Sequence, residues 1–320
     1  MNEDLRVSAR PPVPRAATDR CERLHLNIAG ITFDLRWEGA RLEDEVALEF
    51  YQGFLSTAHH SPRANQHDVR LRVHCGELPE VKPDALIFDA VANRWRLFRA
   101  NGHAVFEVFD TAAPHPTVQL AVMRPDFRQG EVFRRPEKDV PEPSWSLVYL
   151  MRPFGELLLS TLLSQGRGIL LHALGVSDRG EGLLFVGRSG AGKSTLANLY
   201  KPYQSNDGVT ILGDERVVVT KEEGQFWLSG TPWPGGGFMV SADTVPLRKV
   251  FFLEHGARNA LIPDRHLTLY GLLFQQLFLP FWDGEALAFA VTFAHELLTA
   301  LPAHRLAFVN DPTAVEFLRA

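Results

Sequence analysis

The amino-acid sequence predicts an α+β protein, in which a β-rich N-terminal domain precedes a C-terminal domain built around one glycine-rich loop. Three observations support this fold class. Residues 21–140 contain several segments in which apolar and polar residues alternate, which is the period of a half-buried strand. Residues 141–320 mix apolar strands with segments of helical periodicity. Between Leu183 and Tyr200 an apolar strand is followed by glycines and then by a helical pattern.

Composition and charge favour an ordinary globular chain. The 320 residues, 45% hydrophobic and 22% charged, are enough for two domains with separate cores. A net charge of −5 gives no general attraction to nucleic acid or to an anionic membrane, so neither is predicted as a partner. Cys21 and Cys75 are far apart and fit a reducing, cytoplasmic setting without disulfides. The charged, proline-containing residues 1–20 lack an apolar core and predict a disordered tail, not a signal peptide.

The N-terminal half is predicted to be mostly strand. Alternating segments lie at 24–36, with a turn at Gly30, and at 69–74, 95–99 and 105–109. One helix is predicted over Leu42–Leu55. The histidines His59, His60 and His67 offer metal-ligating side chains, but their Ser, Pro, Asn and Gln neighbours favour a solvated loop.

The C-terminal half follows a charged, proline-rich stretch at 134–143, which predicts the domain boundary. The apolar segment 144–164 is predicted as one buried helix and not a membrane span, because it contains Arg152, Pro153 and Glu156. Further strands are predicted at 168–176, 183–186, 209–215, 216–220, 225–228, 250–253 and 306–309. Further helices are predicted at 194–200, 267–279 and 284–301, with a last one from near Pro312. The run Gly230–Gly237 has too many glycines and prolines for regular structure.

The glycine-rich loop fits the phosphate-binding pattern G-x-x-x-x-G-K-[ST], known as Walker A. Its glycines allow the backbone N–H groups to turn inward around a polyphosphate, and the following helix adds the positive end of its dipole. Lys193 is predicted to reach the β- and γ-phosphates, and the Ser194 hydroxyl to hold Mg²⁺. A plain glycine turn before a helix would explain neither residue. We therefore predict ATP and Mg²⁺ as cofactors. The predicted nucleotide-binding residues are Gly187, Arg188, Ser189, Gly190, Ala191, Gly192, Lys193, Ser194 and Thr195.

Two acids and one histidine are candidates for the chemistry. Asp214 and Glu215 close an apolar strand soon after the loop helix, where a carboxylate can bind Mg²⁺ or accept a proton from an attacking hydroxyl. In isolation they fit a surface turn, but after a phosphate loop a functional role is favoured. With Ser194 they form the predicted metal ligands, and which acid is the base stays open. His172 lies on an apolar strand, where a lone histidine is more often a core residue.

These segments resemble a known family. Gly168–Val176, Gly187–Ser194 and Gly213–Val217 resemble the HPr kinase/phosphorylase family, and HPr-kinase-like ATPases more closely still, down to 230–233 and 251–256. The resemblance covers roughly residues 165–255. It implies a mixed-sheet P-loop kinase core of the type shared with phosphoenolpyruvate carboxykinases. It also implies active-site roles for His172, Asp214 and Glu215. The chain departs from the family at Thr195 and Glu215, where HPr kinases have an acidic residue and an aspartate.

The resulting prediction is an ATP-dependent kinase with Lys193, Asp214, Glu215 and His172 as catalytic residues. The resemblance implies a serine of a protein or peptide as the acceptor, and a small-molecule hydroxyl is the alternative. A rival prediction is an ATPase in which Glu215 activates water, although the interval between Lys193 and Asp214 is too short for a transporter-type signature motif. A third alternative is a nucleotide-binding module without turnover. The oligomeric state stays open, with a homo-oligomer among the options.

Overall fold

The structure is a computed structural model that describes residues 22–42, 47–56, 68–90, 94–110, 114–136, 143–204, 207–263 and 265–320. The predicted tail and the histidines His59, His60 and His67 lie outside these ranges. The chain packs as two compact units, and both contain helices and a mixed sheet. One unit comprises the described residues of Met1–Leu26, Ile31–Glu49 and Leu55–Leu158. The other comprises those of Asn27–Gly30, Phe50–Phe54 and Leu159–Ala320. The domain boundary predicted at 134–143 stays a prediction.

The first unit is dominated by a mixed sheet in the order β1-β2-β4-β9-β8-β7-β6-β5. Its strands are β1 (Glu22–Ile28), β2 (Ile31–Trp37), β4 (Val69–Cys75), β5 (Ala85–Ala90), β6 (Trp95–Ala100), β7 (His103–Phe109), β8 (Thr117–Met123) and β9 (Gln129–Arg134). The pairs β2–β4 and β4–β9 are parallel, and the pairs from β9 to β5 are antiparallel. A short parallel pair joins β3 (Arg41–Leu42) to β10 (Ser144–Trp145). The four segments predicted by alternation are therefore confirmed as strands.

Strand β4 shows why alternation locates these strands. Val69, Leu71 and Val73 are buried, whereas Arg70 and Arg72 between them are exposed. Successive side chains of a strand point to opposite faces, so every second residue faces the core. The apolar residues of the strand thus fix which face of the sheet packs inward.

The helices of the first half differ from the prediction. The segment predicted as a helix over Leu42–Leu55 contains α1 (Ala47–Tyr51) and a 3₁₀ turn (Gln52–Phe54) among the described residues. The single helix predicted at 144–164 is wrong, because the chain forms β10, α2 (Leu147–Met151) and α3 (Phe154–Leu163) there. Pro153 has no N–H to continue a helix, and the residue before a proline favours an extended conformation. Arg152 is extended, with φ −120° and ψ 124°.

The second unit also contains a mixed sheet. Its strands are β11 (Gly168–Asp178), β12 (Glu181–Val186), β13 (Val209–Gly213), β14 (Arg216–Glu222), β15 (Gln225–Gly230), β16 (Thr244–His255), β17 (Ala260–Ile262) and β18 (Ala303–Phe308). The order is β12-β11-β14-β15-β16-β18-β17, with β13 paired to β11. An additional parallel pairing of β12 with β16 closes the first five strands into a ring. β18 also runs parallel to β16, so three parallel strands lie side by side.

The helices of the second unit are α4 (Lys193–Tyr200), α5 (His266–Phe274), α6 (Gly284–Ala300) and α7 (Thr313–Arg319). The prediction that one helix runs over 267–279 is wrong at its C-terminal end. Beyond Phe274 the chain runs along β11, where the His172 N–H donates to Gln276 O at 2.8 Å and the Phe278 N–H to Leu170 O at 2.9 Å. These bonds satisfy backbone groups that a longer helix would leave unpaired at the edge of the sheet.

The parallel strands β12 and β16 are covered on both faces. Leu184 and Phe252 pack into a core with α5 and α6, whereas Phe185 and Phe251 pack into a second core with α4 and α7. Such two-sided burial is usual for parallel strands, and their carboxyl ends are the usual place for ligands. The glycine-rich loop leaves β12 at this end. Among the helices that the structure describes, none combines the length and the apolar character needed to cross a bilayer.

Candidate functional site

The glycine loop, residues Gly187–Ser194, connects β12 to α4 as the sequence predicts. Gly190 and Gly192 have φ of +82° and +102°, which glycine adopts at no steric cost. Gly192 also packs closely, since a Cβ there would lie 2.6 Å from Phe308 Cζ. Because Gly192 is the N-cap of α4 and carries no capping side chain, the first-turn N–H groups of α4 are left to other partners. The loop therefore presents backbone donors at the positive end of a helix dipole.

Lys193 lies almost completely buried within this loop, with 7% of its surface exposed. Its Nζ donates to the carbonyl oxygens of Gly187 at 2.6 Å and Arg188 at 3.3 Å. Burial lowers the pKa of the ammonium, the Glu215 carboxylate partly opposes that effect, and Arg216 adds to it. The lysine is thus folded back onto its own loop and lies within electrostatic range of Glu215.

Glu215 lies between a histidine and an arginine. Its Oε2 is 3.3 Å from His172 Nε2, and its Oε1 accepts from Arg216 Nη1 at 2.6 Å. The hydrogen bond from His172 lowers the pKa of Glu215, burial raises it, and Arg216 lowers it further, to a value of about 2. The carboxyl is therefore ionised at neutral pH. Because its side chain is still 29% exposed, a ligand can reach it.

The sheet register brings these three residues together. His172 on β11 is the Cα partner of Arg216 on β14, and Glu215 immediately precedes β14. The Arg216 guanidinium lies over the Phe278 ring, with Cζ 4.4 Å from the centroid. The segment after α5 thus supports both the backbone of His172 and the side chain of Arg216.

Asp214 is placed differently from Glu215. It is only 2% exposed, and its two carboxylate oxygens accept the N–H groups of Gly235 at 2.8 Å and Gly237 at 2.7 Å. The second glycine loop, residues Gly230–Gly237, is irregular from Thr231 on, as predicted, whereas Gly230 is the last residue of β15. Asp214 therefore fixes this loop beside Glu215.

The residue that follows the second glycine loop is unusual. Phe238 is 70% exposed and has φ of +54°, a conformation uncommon for a bulky side chain. Its N–H donates to Gly235 O at 3.2 Å, so a tight turn holds it. A largely exposed aromatic ring, stacked on Phe50 with the centroids 6.2 Å apart, thus follows the Asp214-bound loop.

The structure brings most of the predicted site residues into one unit. Lys193, Glu215 and His172 form an electrostatically linked group, and Asp214 adjoins it in the chain. Ser194 is exposed on the first turn of α4, and Thr195 next to it is half-buried. Sequence reasoning placed Gly230–Gly237 over the acceptor, but it missed the contacts of Arg216 and Phe278 and the bonds that Gly235 and Gly237 donate to Asp214. The arginine directly after the two acids and the Gly235–Gly237 triplet were the available signals.

The donor set suits Mg²⁺ better than a transition metal. Within the described part of the chain, no three His, Cys, Asp or Glu side chains cluster as a ready-made metal site. Mg²⁺ is usually held by one or two carboxylates together with substrate phosphates and water, so a preformed cage is not needed. Ser194 and Glu215 are the accessible oxygen donors among the predicted ligands. The buried Asp214 carboxylate already accepts two backbone bonds.

Comparison with protein-family models finds no match, and comparison with curated proteins finds none either. Among solved structures, the chain is similar to the HPr(Ser) kinase/phosphatase from Coxiella burnetii. The two sequences are 14% identical, and the match covers 30% of this chain and 65% of that one, with a TM-score of 0.23. The matched part thus spans just under two thirds of that protein. This is a distant structural relation, and a likeness of this size does not assign the chain to a family.

Proposed function

We propose that this chain is an ATP- and Mg²⁺-dependent kinase that transfers the γ-phosphoryl group to a hydroxyl, namely a serine of a protein or peptide. The observation that carries the proposal is the electrostatic interaction between Lys193 and Glu215 within the second unit. Lys193 is buried in a glycine loop at a helix start, and it interacts electrostatically with the Glu215 carboxylate that contacts His172. Phosphoryl transfer needs such a phosphate cradle together with a carboxylate that orients the attacking hydroxyl.

The glycine loop supports the nucleotide half of this proposal. Its backbone donors, the dipole of α4 and the Lys193 ammonium all favour a polyphosphate. Lys193 Nζ needs only to exchange two loop carbonyls for phosphate oxygens. When bound, ATP would supply the γ-phosphoryl group and Mg²⁺ would neutralise part of its charge. Ser194 is the residue proposed to hold the metal.

The Glu215–His172 pair supports the acceptor half. The acceptor oxygen forms a bond to the γ-phosphorus as the bond from that phosphorus to the bridging oxygen breaks, and ADP leaves. The hydroxyl proton passes to Glu215 Oε2, from which His172 Nε2 is 3.3 Å away. A carboxylate of pKa about 2 is a weak base, so its first contribution is to orient the hydroxyl. In the loose transition state typical of phosphoryl transfer, positioning and charge stabilisation contribute most of the catalysis.

The second glycine loop supports a polypeptide acceptor. Asp214 holds this loop next to Glu215, and Phe238 at its end projects a largely exposed ring. An exposed aromatic ring that follows the loop next to Glu215 offers apolar contact to a side chain that flanks the acceptor serine. A small hydroxylated metabolite would not need such a projecting surface.

The test is incubation of the purified chain with γ-labelled ATP, Mg²⁺ and a panel of peptide, protein and small-molecule acceptors. We expect labelled serine in a polypeptide and slow hydrolysis when no acceptor is present. Rapid acceptor-free hydrolysis that stops in Glu215→Gln, with ATP still bound, would identify an ATPase instead. Label found only on a small molecule would overturn the acceptor class but keep the kinase.

A further inference from the structure

A cavity of about 410 Å³ opens beside the glycine loop. One wall is formed by the loop residues 187–191, and the other by the end of β16, Leu272 of α5 and Arg305 of β18. His255 Nε2 donates to the Gly190 carbonyl at 2.8 Å, which ties the two walls together. The volume lies within the range of small-molecule sites.

The cavity lies where the fold favours a ligand. β12 and β16 are parallel, and the cavity residues Val186 and Phe252 are register partners near the carboxyl end of β12. Ligands commonly bind outside the carboxyl ends of parallel strands, in closed as well as open α/β sheets. The cavity is also continuous with the glycine loop, since both share the same backbone.

The lining combines one charged pair with an apolar wall. Arg305 Nη1 and Glu254 Oε2 are 3.1 Å apart, and their side chains are 32% and 34% exposed. An ion pair this exposed contributes little to folding. A carboxylate can only accept hydrogen bonds, and it suits a ligand with neighbouring hydroxyl donors. Leu272 and the plane of a guanidinium suit a flat ring.

The reactive side chains do not line this cavity. Lys193, His172 and Glu215 are all absent from its walls, whereas Arg188 and Gly190 are part of them. A phosphoryl acceptor must reach Glu215, so the cavity is poorly placed for an acceptor. A ligand that extends along the loop from the cavity would place its far end at Lys193.

We infer that this cavity binds the nucleoside part of the nucleotide, with Glu254 accepting hydrogen bonds from the ribose hydroxyls and the base packing between Leu272 and Arg305. The inference rests on the proposed function, because it assumes that the loop binds the phosphates of the same molecule. It adds a specificity site that the glycine-loop pattern does not contain.

The experiment compares three ligands on the full chain in the presence of Mg²⁺. ATP, 2′,3′-dideoxy-ATP and inorganic triphosphate are titrated calorimetrically against the wild type, Glu254→Gln and the control Glu181→Gln. Glu181 belongs to another exposed ion pair of the same unit, with Arg248, and does not line the cavity. We expect Glu254→Gln to weaken ATP about 10-fold, as for loss of hydrogen bonds to a charged group, and to leave triphosphate unchanged. The dideoxy ligand should bind the wild type and Glu254→Gln equally.

The outcomes separate this inference from the proposed function. If the wild-type chain binds triphosphate as tightly as ATP, the cavity does not hold the nucleoside, although the assignment of the phosphate loop is unaffected. The nucleoside assignment is equally overturned if Glu254→Gln weakens both ligands to the same extent, or if Glu181→Gln matches it. If neither ligand binds the wild type, both proposals fail. Should Glu254→Gln not fold, the three wild-type titrations still decide the question.

Discussion

His172 Nε2 and Glu215 Oε2 lie 3.3 Å apart, although His172 lies on β11 and Glu215 lies in the turn between β13 and β14. The contact follows from register, because His172 on β11 is paired with Arg216, the residue after Glu215. A one-residue slip of β14 would turn Arg216 to the other face of the sheet. The candidate site is therefore built by the antiparallel β11–β14 pairing, whereas the phosphate loop depends on the parallel strand β12.

The first prediction concerns Glu215→Gln, which keeps the shape of the side chain but removes its charge. We expect phosphoryl transfer to fall about 10²- to 10⁴-fold, as for loss of a positioned proton acceptor, with ATP affinity changed little. His172→Ala should lower transfer less, because the histidine acts on the acceptor through Glu215. Single-turnover transfer of labelled phosphate and a separate ATP titration check both expectations. Glu222→Gln, an exposed acid at the far end of β14, should leave transfer unchanged. Full activity in Glu215→Gln would contradict the assignment.

The second prediction concerns the first unit and its response to pH. Asp34 is fully buried and bonded to Arg23 and Arg36 at 2.6 and 2.8 Å. Burial raises the pKa of its carboxyl, but the two arginines lower it more, to about 2. Because the folded pKa lies below the unfolded value, the stabilisation is present above about pH 4 and is lost as pH falls towards 2.

Asp34→Asn should therefore lower the free energy of unfolding of the first unit by about 2–3 kcal/mol at pH 7. The difference in the free energy of unfolding between the variant and the wild type should be smaller at pH 3. Urea unfolding at both pH values, monitored with a spectroscopic probe in the first unit, measures this difference in the free energy of unfolding. Glu77→Gln, which removes an exposed acid in the same unit, should produce no such difference. A difference that stays constant between pH 7 and pH 3 would refute the ion-pair explanation.

Sequence patterns located the strands and the glycine loop because both obey local rules. The alternation of Val69, Leu71 and Val73 with arginines fixes β4. The spacing of Gly187, Gly192 and Lys193 fixes the strand–loop–helix unit. These features depend on neighbours in the chain, and periodicity or turn chemistry records them directly.

The parts that sequence reasoning missed depend on contacts between distant segments. The segment after Phe274 leaves its helix because β11 offers it backbone partners, and no local pattern encodes that pairing. Asp214 and Glu215 look equivalent as neighbours in the sequence. Their environments separate them, because the amides of Gly235 and Gly237 enclose Asp214 and leave Glu215 accessible. The burial of each side chain and the register of the strands therefore decide which of the two acids is accessible in the site.

The third prediction uses the triplet Gly235–Gly237, which offers its own control. A Cβ on Gly237 would lie 2.5 Å from Asp214 Oδ2 and 2.7 Å from Met239 Cε, whereas nothing lies within 4 Å of one on Gly236. Gly237→Ala should therefore displace the Asp214 carboxylate and lower stability by about 1–3 kcal/mol. Phosphoryl transfer should fall with it, because the loop carries the proposed acceptor surface. Gly236→Ala should leave both unchanged. Thermal unfolding and transfer assays on the two variants measure the difference, and equal effects would show that Asp214 does not fix the loop.

The fourth prediction concerns Lys193 and separates binding from folding. Its ammonium is buried at a desolvation cost that lowers its pKa, and loop carbonyls are its hydrogen-bond partners. Burying a charge carries a desolvation penalty, and an apolar side chain of similar length avoids that penalty. Lys193→Met should thus unfold at the same temperature as the wild type or higher when no nucleotide is present.

The affinity for nucleotide, unlike the thermal stability, should decrease in Lys193→Met. Without the ammonium, the phosphates lose charge-assisted hydrogen bonds, so ATP and inorganic triphosphate should both bind about 10²-fold more weakly and turnover should nearly vanish. Lys201→Met is the matched control, since Lys201 is the exposed cation at the other end of α4. Differential scanning calorimetry with and without ATP reads both effects at once, because a bound ligand raises the unfolding temperature more the tighter it binds. A Lys193→Met protein that ATP stabilises as much as it stabilises Lys201→Met would refute the phosphate-loop assignment.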